Sequence, residues 1–99
     1  MCGIAGVYNF NNKKVNEQIL HAMDTVIAHR GPDGHGELLK DNIGLANRRL
    51  AIIDPTAKGK QPMSSKDGNY WITFNGEIFN YVSLRKDLIR RGYIFMSHT

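Results

Sequence analysis

The chain has 99 residues, of which 41% are hydrophobic and 22% are charged, with a formal net charge of +4. This length allows one domain at most, and the composition is ordinary for a soluble globular protein. No apolar run is long enough to cross a membrane, no secretory signal is recognisable, and the dispersed basic residues carry no nucleic-acid motif; we therefore expect a cytoplasmic protein that binds neither membranes nor nucleic acid.

The first third of the chain predicts a strand followed by a helix. Gly3 to Tyr8 is typical of a short buried strand. From Val15, apolar residues recur at helical spacing, with Asn16 as the expected N-cap and Val15 and Leu20 as a hydrophobic staple around it. Gly31-Pro32 is predicted to end this helix, because glycine often closes a helix and proline cannot continue one.

The middle of the chain predicts two paired strands between loops. Residues 33–36 are rich in glycine and are interpreted as a loop. Residues 37–40 and 43–53 predict two strands joined by an Asp41-Asn42 turn. Residues 54–67 contain two prolines and many turn formers, so we expect a long loop there.

The last third predicts a strand, a turn, a second strand and a helix. Residues 70–74 and 77–79 have strand character, and Asn75-Gly76 between them is a strong hairpin signal. Asn80 is expected to cap a helix that Gly92 closes. Residues 93–96 then predict a new strand, so we interpret the chain as the beginning of a larger domain.

Cys2 is the only cysteine of the chain, which excludes an internal disulfide and a cysteine-based zinc site. Removal of Met1 would leave a thiol and a free α-amine on one residue. An α-amine has an ordinary pKa of about 7.7–8.0, so part of it is neutral and basic near pH 7. Such an amine is a base tethered to its nucleophile. Taken alone, however, the position favours nothing more than a small residue after the initiator methionine.

Four segments change that interpretation: Cys2–Ile4, His29–Gly34, Asn47–Asp54 and Phe74–Tyr81. In this order and spacing they closely resemble the glutaminase domain of glutamine-hydrolysing asparagine synthetases, which are class II glutamine amidotransferases of the N-terminal-nucleophile type. The resemblance runs from Cys2 to Phe95 and includes Gln61-Pro62-Met63. It implies an α+β fold, namely the first half of a four-layer α-β-β-α sandwich.

The resemblance also implies roles for the reacting groups. Cys2 would attack the side-chain carbonyl of L-glutamine, and its own amine would pass the proton to the departing ammonia. The resulting glutamyl thioester would then be hydrolysed. The side-chain amide of Asn75 and the backbone N–H of Gly76 would form the oxyanion hole. This role is compatible with the hairpin interpretation of Asn75-Gly76, because a glycine lets the backbone approach the reacting carbon closely.

Further residues are implied to bind glutamine. Arg49 would bind its α-carboxylate with a bidentate guanidinium, and Glu77 would face its α-ammonium group. The rest of the pocket would be formed around Leu50, Ile52 and Ile53. For Arg48 we expect only an exposed position on an alternating strand.

Arg30 and Asp33 are implied to shape the entrance of the site and to order the surroundings of the nucleophile. The alternative is a simple helix stop, which accounts for Gly31 and Pro32 without any functional role. The four histidines lack metal-ligand spacing and acidic companions, so no metal site is expected.

Two departures from the family pattern are small: many members have histidine at the position of Asn47 and serine at that of Ala51. We expect residues 1–99 to be the N-terminal part of the amidotransferase domain, without a cofactor of its own. The rest of that domain and an ATP- and Mg²⁺-dependent synthetase domain would follow in the same polypeptide. Aspartate is the implied acceptor. A sugar or peptide acceptor, a catalytically inert fragment or interaction module, and a homodimer stay open.

Overall fold

The described part of the chain, residues 2–50 and 59–95 of a computed structural model, is a mixed α+β structure with antiparallel sheets. Its elements in chain order are β1 (Gly3–Tyr8), α1 (Glu17–Val26), a short 3₁₀ helix (Ala28–Arg30), β2 (Gly34–Lys40), β3 (Ile43–Arg49), β4 (Met63–Ser64), β5 (Trp71–Ile72) and α2 (Tyr81–Arg90). The α+β prediction is therefore confirmed.

The larger sheet has the strand order β1-β3-β2 and is antiparallel throughout. The pairing of β3 with β1 runs from Gly3↔Arg48 to Tyr8↔Ile43. The hairpin between β2 and β3 closes at Lys40↔Ile43, around the predicted Asp41-Asn42 turn. Asp41 adopts a φ of 53° there, a left-handed conformation that aspartate tolerates better than most residues.

Helix α1 packs on one face of this sheet. As predicted, Asn16 is its N-cap, and the side-chain oxygen accepts hydrogen bonds from the backbone N–H groups of Gln18 at 2.8 Å and Ile19 at 3.4 Å. Val15 and Leu20 are both buried with Ala46 in the core cluster. Their burial on either side of the N-cap fits the predicted staple.

The helical segment ends at the predicted place in two steps. The α-helix stops at Val26, and one 3₁₀ turn continues it to Arg30 before Gly31. Gly31 then crosses the backbone of β3 so closely that a Cβ on it would lie 2.2 Å from the carbonyl carbon of Arg48. The φ of Gly31 is −149°, which any residue can adopt, so its backbone conformation does not require glycine. Glycine is needed at this crossing because a side chain would not fit.

Three predictions in the middle of the chain need correction, and one of them is the loop at residues 54–67, within which Met63–Ser64 forms strand β4. β2 begins at Gly34, so residues 34–36 are strand and not loop. The reason is non-local: β3 extends to Arg49 and offers Gly34 a backbone partner, which outweighs the low strand propensity of glycine. β3 ends at Arg49, before the predicted end at residue 53, although residues 51–58 lie outside the described residues.

The predicted hairpin at Asn75-Gly76 is wrong. Residues 73–80 belong to no strand, so the predicted strand at 77–79 is absent as well. A two-residue hairpin turn of the Asn-Gly type needs positive φ at both central residues, and neither has it. The hairpin instead joins β4 and β5, where the backbone N–H of Ser65 bonds the carbonyl of Tyr70 at 2.8 Å.

Helix α2 follows Asn80, as predicted, but the side chain of Asn80 makes no capping bond. Gly92 closes the helix with a φ of 97°, while the N–H of Tyr93 bonds the carbonyl of Leu88 at 3.0 Å. Residues 93–95 form no strand, contrary to the prediction. Within residues 2–50 and 59–95, neither helix has the length and apolar character that a membrane crossing requires.

Candidate active site

Cys2 lies directly before β1, half-buried, and is held at two atoms. Its sulfur accepts a hydrogen bond from the backbone N–H of Leu50 at 3.3 Å and lies 3.7 Å from the carbonyl oxygen of the same residue. Its own carbonyl oxygen accepts a hydrogen bond from Nε of Arg30 at 3.2 Å. The backbone of Leu50 and the side chain of Arg30 therefore fix the position of the thiol.

The sheet register places Cys2 and Arg49 on the same face. Gly3 pairs with Arg48, so continuing the register by one pair sets Cys2 opposite Arg49. Opposite residues of an antiparallel pair share a face, and alternate residues share it too. Cys2, Arg49 and Asn47 thus lie on one face, and α1 covers the other. The predicted nucleophile and the predicted carboxylate ligand are brought to one surface.

The segment that contains Arg30 and Asp33 runs along the end of β3. The N–H of Asp33 bonds the carbonyl of Arg49 at 2.9 Å, and Pro32 forms a β-bridge with Arg49. Together with the contact between Arg30 and Cys2, these bonds tie the segment to both strands that carry the candidate site. The geometry agrees with the predicted supporting position of Arg30 and Asp33, whereas their roles stay predictions.

Asn75, Gly76 and Glu77 come directly after a segment that is anchored to the Cys2-bearing face. Thr73 Oγ1 donates to the carbonyl of Ala46 at 3.3 Å and accepts from Nδ2 of Asn47 at 3.0 Å. Among the described residues, neither Asn75 nor Glu77 hydrogen-bonds Cys2. The predicted pocket residues Ile52 and Ile53 lie outside the described residues.

Sequence reasoning missed Asn47, Gln61 and Thr73 as members of this region. Asn47 is 1% exposed, and Nδ2 of its amide also lies 3.3 Å from Oε1 of Gln61. That same oxygen accepts the backbone N–H of Phe74 at 2.6 Å. The sequence signals of this network were a polar asparagine directly after the apolar run 43–46 and the Gln61-Pro62-Met63 segment that takes part in the resemblance.

The expectation of an exposed Arg48 is wrong, because its side chain points under α1. Nε of Arg48 donates to Oδ1 of Asp24 at 2.8 Å, and Asp24 is fully buried. The alternation along β3 causes this, since Asn47 and Arg49 occupy the opposite face. The second carboxylate oxygen of Asp24 has no hydrogen-bond partner within the described part of the chain.

The histidines also need one correction, because His21 does have acidic companions. Nδ1 of His21 lies 2.9 Å from Oε2 of Glu37, and ligand-type atoms of His21, Asp24 and Glu37 all lie within 4.8 Å of one another. These are groups that could hold a divalent cation. Oε2 of Glu37, however, already contacts His21, and Oδ1 of Asp24 already accepts a hydrogen bond from the guanidinium of Arg48, so both of these atoms have partners within the chain. The absence of a metal site stays a prediction.

The sequence profile of the glutamine amidotransferase domain family matches residues 1–99. The chain belongs to this family. It is similar to glutamine-hydrolyzing asparagine synthetase 1 of Bacillus subtilis (strain 168), with 44% identity over 98 residues that cover 96% of the chain and 15% of that protein. It is also similar to glutamine-hydrolyzing asparagine synthetase 3 of Arabidopsis thaliana, with 38% identity over 89 residues that cover 89% of the chain and 15% of that protein.

This amidotransferase domain chain therefore spans 15% of the length of either relative. The resemblance drawn from the four motif segments is confirmed at the level of the family.

Proposed function

We propose that this amidotransferase domain hydrolyses the side-chain amide of L-glutamine at Cys2, giving glutamate and ammonia. In the polypeptide that contains it, the ammonia would be used to convert aspartate to asparagine. Family membership supports the reaction class. The relatives are glutamine-hydrolyzing asparagine synthetases, which supports asparagine as the product and hence aspartate as the acceptor. The structural observation that carries the proposal is the thiol of Cys2, held by the backbone of Leu50 on the face that also presents Arg49.

The proposed reaction uses the two functional groups of Cys2 after removal of Met1. The sulfur forms a bond to the side-chain carbonyl carbon of glutamine, and the thiol proton passes to the α-amine, directly or through one water. The C–N bond then breaks, and the amine returns the proton to the leaving nitrogen, which departs as ammonia. Water attacks the thioester next, which releases glutamate and restores the thiol.

The other groups would bind and stabilise the substrate. Asn75 and Gly76 would donate hydrogen bonds to the oxyanion of the tetrahedral intermediate, the interaction that usually contributes most to acyl transfer. Arg49 would pair with the α-carboxylate and Glu77 with the α-ammonium group, beside the backbone around Leu50. Requiring both charged ends would select free glutamine over glutamine within a peptide.

The larger assembly is also part of the proposal. The α1-covered sheet would be one half of a four-layer α-β-β-α sandwich, with a second sheet on the face that carries Cys2. A synthetase domain of the same polypeptide would bind ATP and Mg²⁺ and activate the acceptor carboxylate, so no residue of this chain is assigned to either ligand. The cytoplasm, where both glutamine and ATP are abundant, is the compartment we propose.

A test is the replacement of Cys2 by alanine in the full-length polypeptide. Glutamine-dependent product formation should fall to background, whereas formation from added ammonium should continue, because only the nucleophile is removed. The measurement is product formation with glutamine and with ammonium under otherwise equal conditions. Loss of both activities would contradict the assigned role of Cys2.

Covalent labelling makes the test independent of the acceptor. The glutamine analogue 6-diazo-5-oxo-norleucine alkylates a nucleophile that sits in a glutamine pocket. We expect one adduct, mapped by peptide mass spectrometry to Cys2 in protein that has lost Met1, and none in Cys2→Ala. An adduct elsewhere, or unchanged labelling when an uncleaved tag blocks the amine, would refute the mechanism.

A further inference from the structure

The segment before Asn75 is fixed by side-chain amides, where a sheet would normally use backbone bonds. We infer that Asn47 and Gln61 are positioning residues: they set the main chain of Thr73 and Phe74 and thereby aim Asn75 and Gly76 at the carbonyl that Cys2 attacks. The inference rests on the proposed function, because it concerns the proposed oxyanion hole. It adds residues that neither touch the substrate nor belong to the predicted site.

The amide of Gln61 takes the place of a missing backbone partner. Met63 pairs with Ile72 in the hairpin, so Gln61, two residues earlier, stands in register with Phe74, two residues later. The backbone pairing of the hairpin does not continue to Gln61 and Phe74. Pro62, which lies between Gln61 and Met63, has no N–H to donate to the neighbouring strand. Instead, Oε1 of Gln61 accepts the backbone N–H of Phe74 at 2.6 Å. The side chain therefore extends the hairpin to the residue immediately before Asn75.

The direction of every bond in this network follows from that one contact. The N–H of Phe74 can only donate, so the Gln61 atom that meets it must be the oxygen. Asn47 must then present its NH₂ group to the same oxygen, at 3.3 Å, and the other hydrogen reaches Oγ1 of Thr73 at 3.0 Å. Thr73 in turn donates to the carbonyl of Ala46 at 3.3 Å. Thr73 is thus tied to β3 directly, and Phe74 is tied to it through the side chain of Gln61.

The backbone of Gln61 is seated on the sheet next to Asn47. Gly36 of β2 pairs with Asn47, and a Cβ on Gly36 would lie 2.2 Å from the carbonyl oxygen of Gln61. Only glycine permits this approach. Asn47 is 1% exposed and its bonds to Gln61 and Thr73 are partly buried, which strengthens them relative to bonds in open water. The Oδ1 atom of the same amide has no hydrogen-bond partner in the described part of the chain.

The network connects the two sides of the proposed reaction centre. Asn47 lies on the same strand and the same face as Arg49, opposite the strand that follows Cys2. The residues that it anchors lead directly into Asn75. Misplacement of a catalytic group by about 1 Å can cost about 100-fold in rate, so loss of these bonds should lower kcat. The proposed contacts of the substrate's α-carboxylate with Arg49 do not involve these bonds, so KM should change little.

The test uses the full-length polypeptide and compares Gln61→Leu with Gln61→Glu. Leucine removes the acceptor, so kcat for glutamine hydrolysis should fall about tenfold, the equivalent of one lost hydrogen bond, while KM changes less than about twofold. Glutamate keeps an oxygen that both donors can use, so kcat should return to within about threefold. Gln18→Leu, the same change at an exposed residue of α1, is the matched control and should have no effect.

A double-variant cycle with Asn75→Ala decides whether Gln61 acts through Asn75. Asn75→Ala alone should lower kcat about 10²–10³-fold, and adding Gln61→Leu should then lower it by clearly less than a further tenfold, because only the N–H of Gly76 is left to be misplaced. If both changes multiply, Gln61 acts independently of Asn75 and the inference is overturned, although the proposed function stands. If Asn75→Ala leaves kcat unchanged, the proposed oxyanion role itself is refuted.

A purely structural role is separated by normalising rates to the number of labelled active sites. Loss of folded protein would lower the labelling stoichiometry but leave kcat per labelled site unchanged, which would overturn the inference. If Gln61→Leu does not fold, Thr73→Val removes only the hydroxyl that joins Asn47 to Ala46. It should lower kcat per labelled site about threefold, and in the Asn75→Ala background its effect should be smaller. An equally large effect of Thr73→Val in both backgrounds would count against the inference.

Discussion

Replacement of Gly31 by alanine perturbs the crossing between the 3₁₀ turn and the strand that supports Cys2. The added Cβ would lie 2.2 Å from the carbonyl carbon of Arg48 and 2.4 Å from the nitrogen of Arg49. Ordinary contact begins near 3.4 Å, so the first of these distances is 1.2 Å too short. Both neighbours are backbone atoms, which cannot rotate away, and one chain must therefore move by about that distance.

The displaced peptide joins Arg48 to Arg49, and the next peptide carries the N–H of Leu50 that holds the sulfur of Cys2. Overpacking of this kind costs about 1–3 kcal/mol of stability, and a shift of about 1 Å at reacting groups can cost about 100-fold in rate. We expect Gly31→Ala to lower kcat for glutamine hydrolysis by about 10–100-fold and to lower the melting temperature by several degrees. Steady-state kinetics and a thermal melt of the full-length polypeptide measure both.

Gly34→Ala is the matched control, because it makes the same change three residues later. A Cβ on Gly34 would meet nothing within 4 Å, and both substitutions restrict the unfolded chain equally. We therefore expect Gly34→Ala to be neutral in both assays. If Gly31→Ala were as well tolerated as Gly34→Ala, the close crossing would not be needed to position the thiol, and the reasoning would be refuted.

Two further predictions concern substrate binding and pH. Arg49→Lys should raise KM for glutamine about 10–100-fold with little change in kcat, because an ammonium cannot make the bidentate contact; an unchanged KM in steady-state kinetics would assign Arg49 to structure alone. The Ser65 hydroxyl, at 2.6 Å, and the N–H of Asn69 hold the pKa of Asp67 below its usual 3.8. Since the folded pKa is depressed, the stabilisation of this turn is complete above pH 3.8 and is lost as pH falls through the folded value. A carboxyl NMR titration should show this, and Ser65→Ala should move the pKa toward 3.8; a midpoint at or above 3.8 in the unaltered chain would contradict the assignment.

Local signals predicted the elements that depend on local chemistry. The cap at Asn16, the end of the helical segment at Gly31 and the turn at Asp41-Asn42 were each found where the residues indicated them. In each case the deciding interaction joins residues a few positions apart, so composition and spacing carry the information. The start of α2 after Asn80 was predicted for the same reason, although its side chain makes no cap bond.

Predictions failed where a distant partner decides the outcome. Asn75-Gly76 has the composition of a hairpin turn, yet the residues after it pair with no strand within residues 2–50 and 59–95, and the chain before it is tied to β3 through Gln61 and Asn47. Arg48 was expected in solvent because its neighbours suggest an exposed strand position. A helix that carries a buried carboxylate lies over it, and this could not be read from the strand alone.

The sequence by itself determined the chemistry available to this protein: one thiol next to the initiator methionine, an Arg-Leu segment, an Asn-Gly pair, and the order that identifies the amidotransferase family. These are properties of residue type and spacing, which survive without a fold. Only the tertiary structure decided which groups meet. The β1–β3 register sets Cys2 and Arg49 on one face, and the crossing at Gly31 carries Arg30 to the backbone of Cys2. Such contacts join residues 28 to 48 positions apart, so they exist only once the strands have paired.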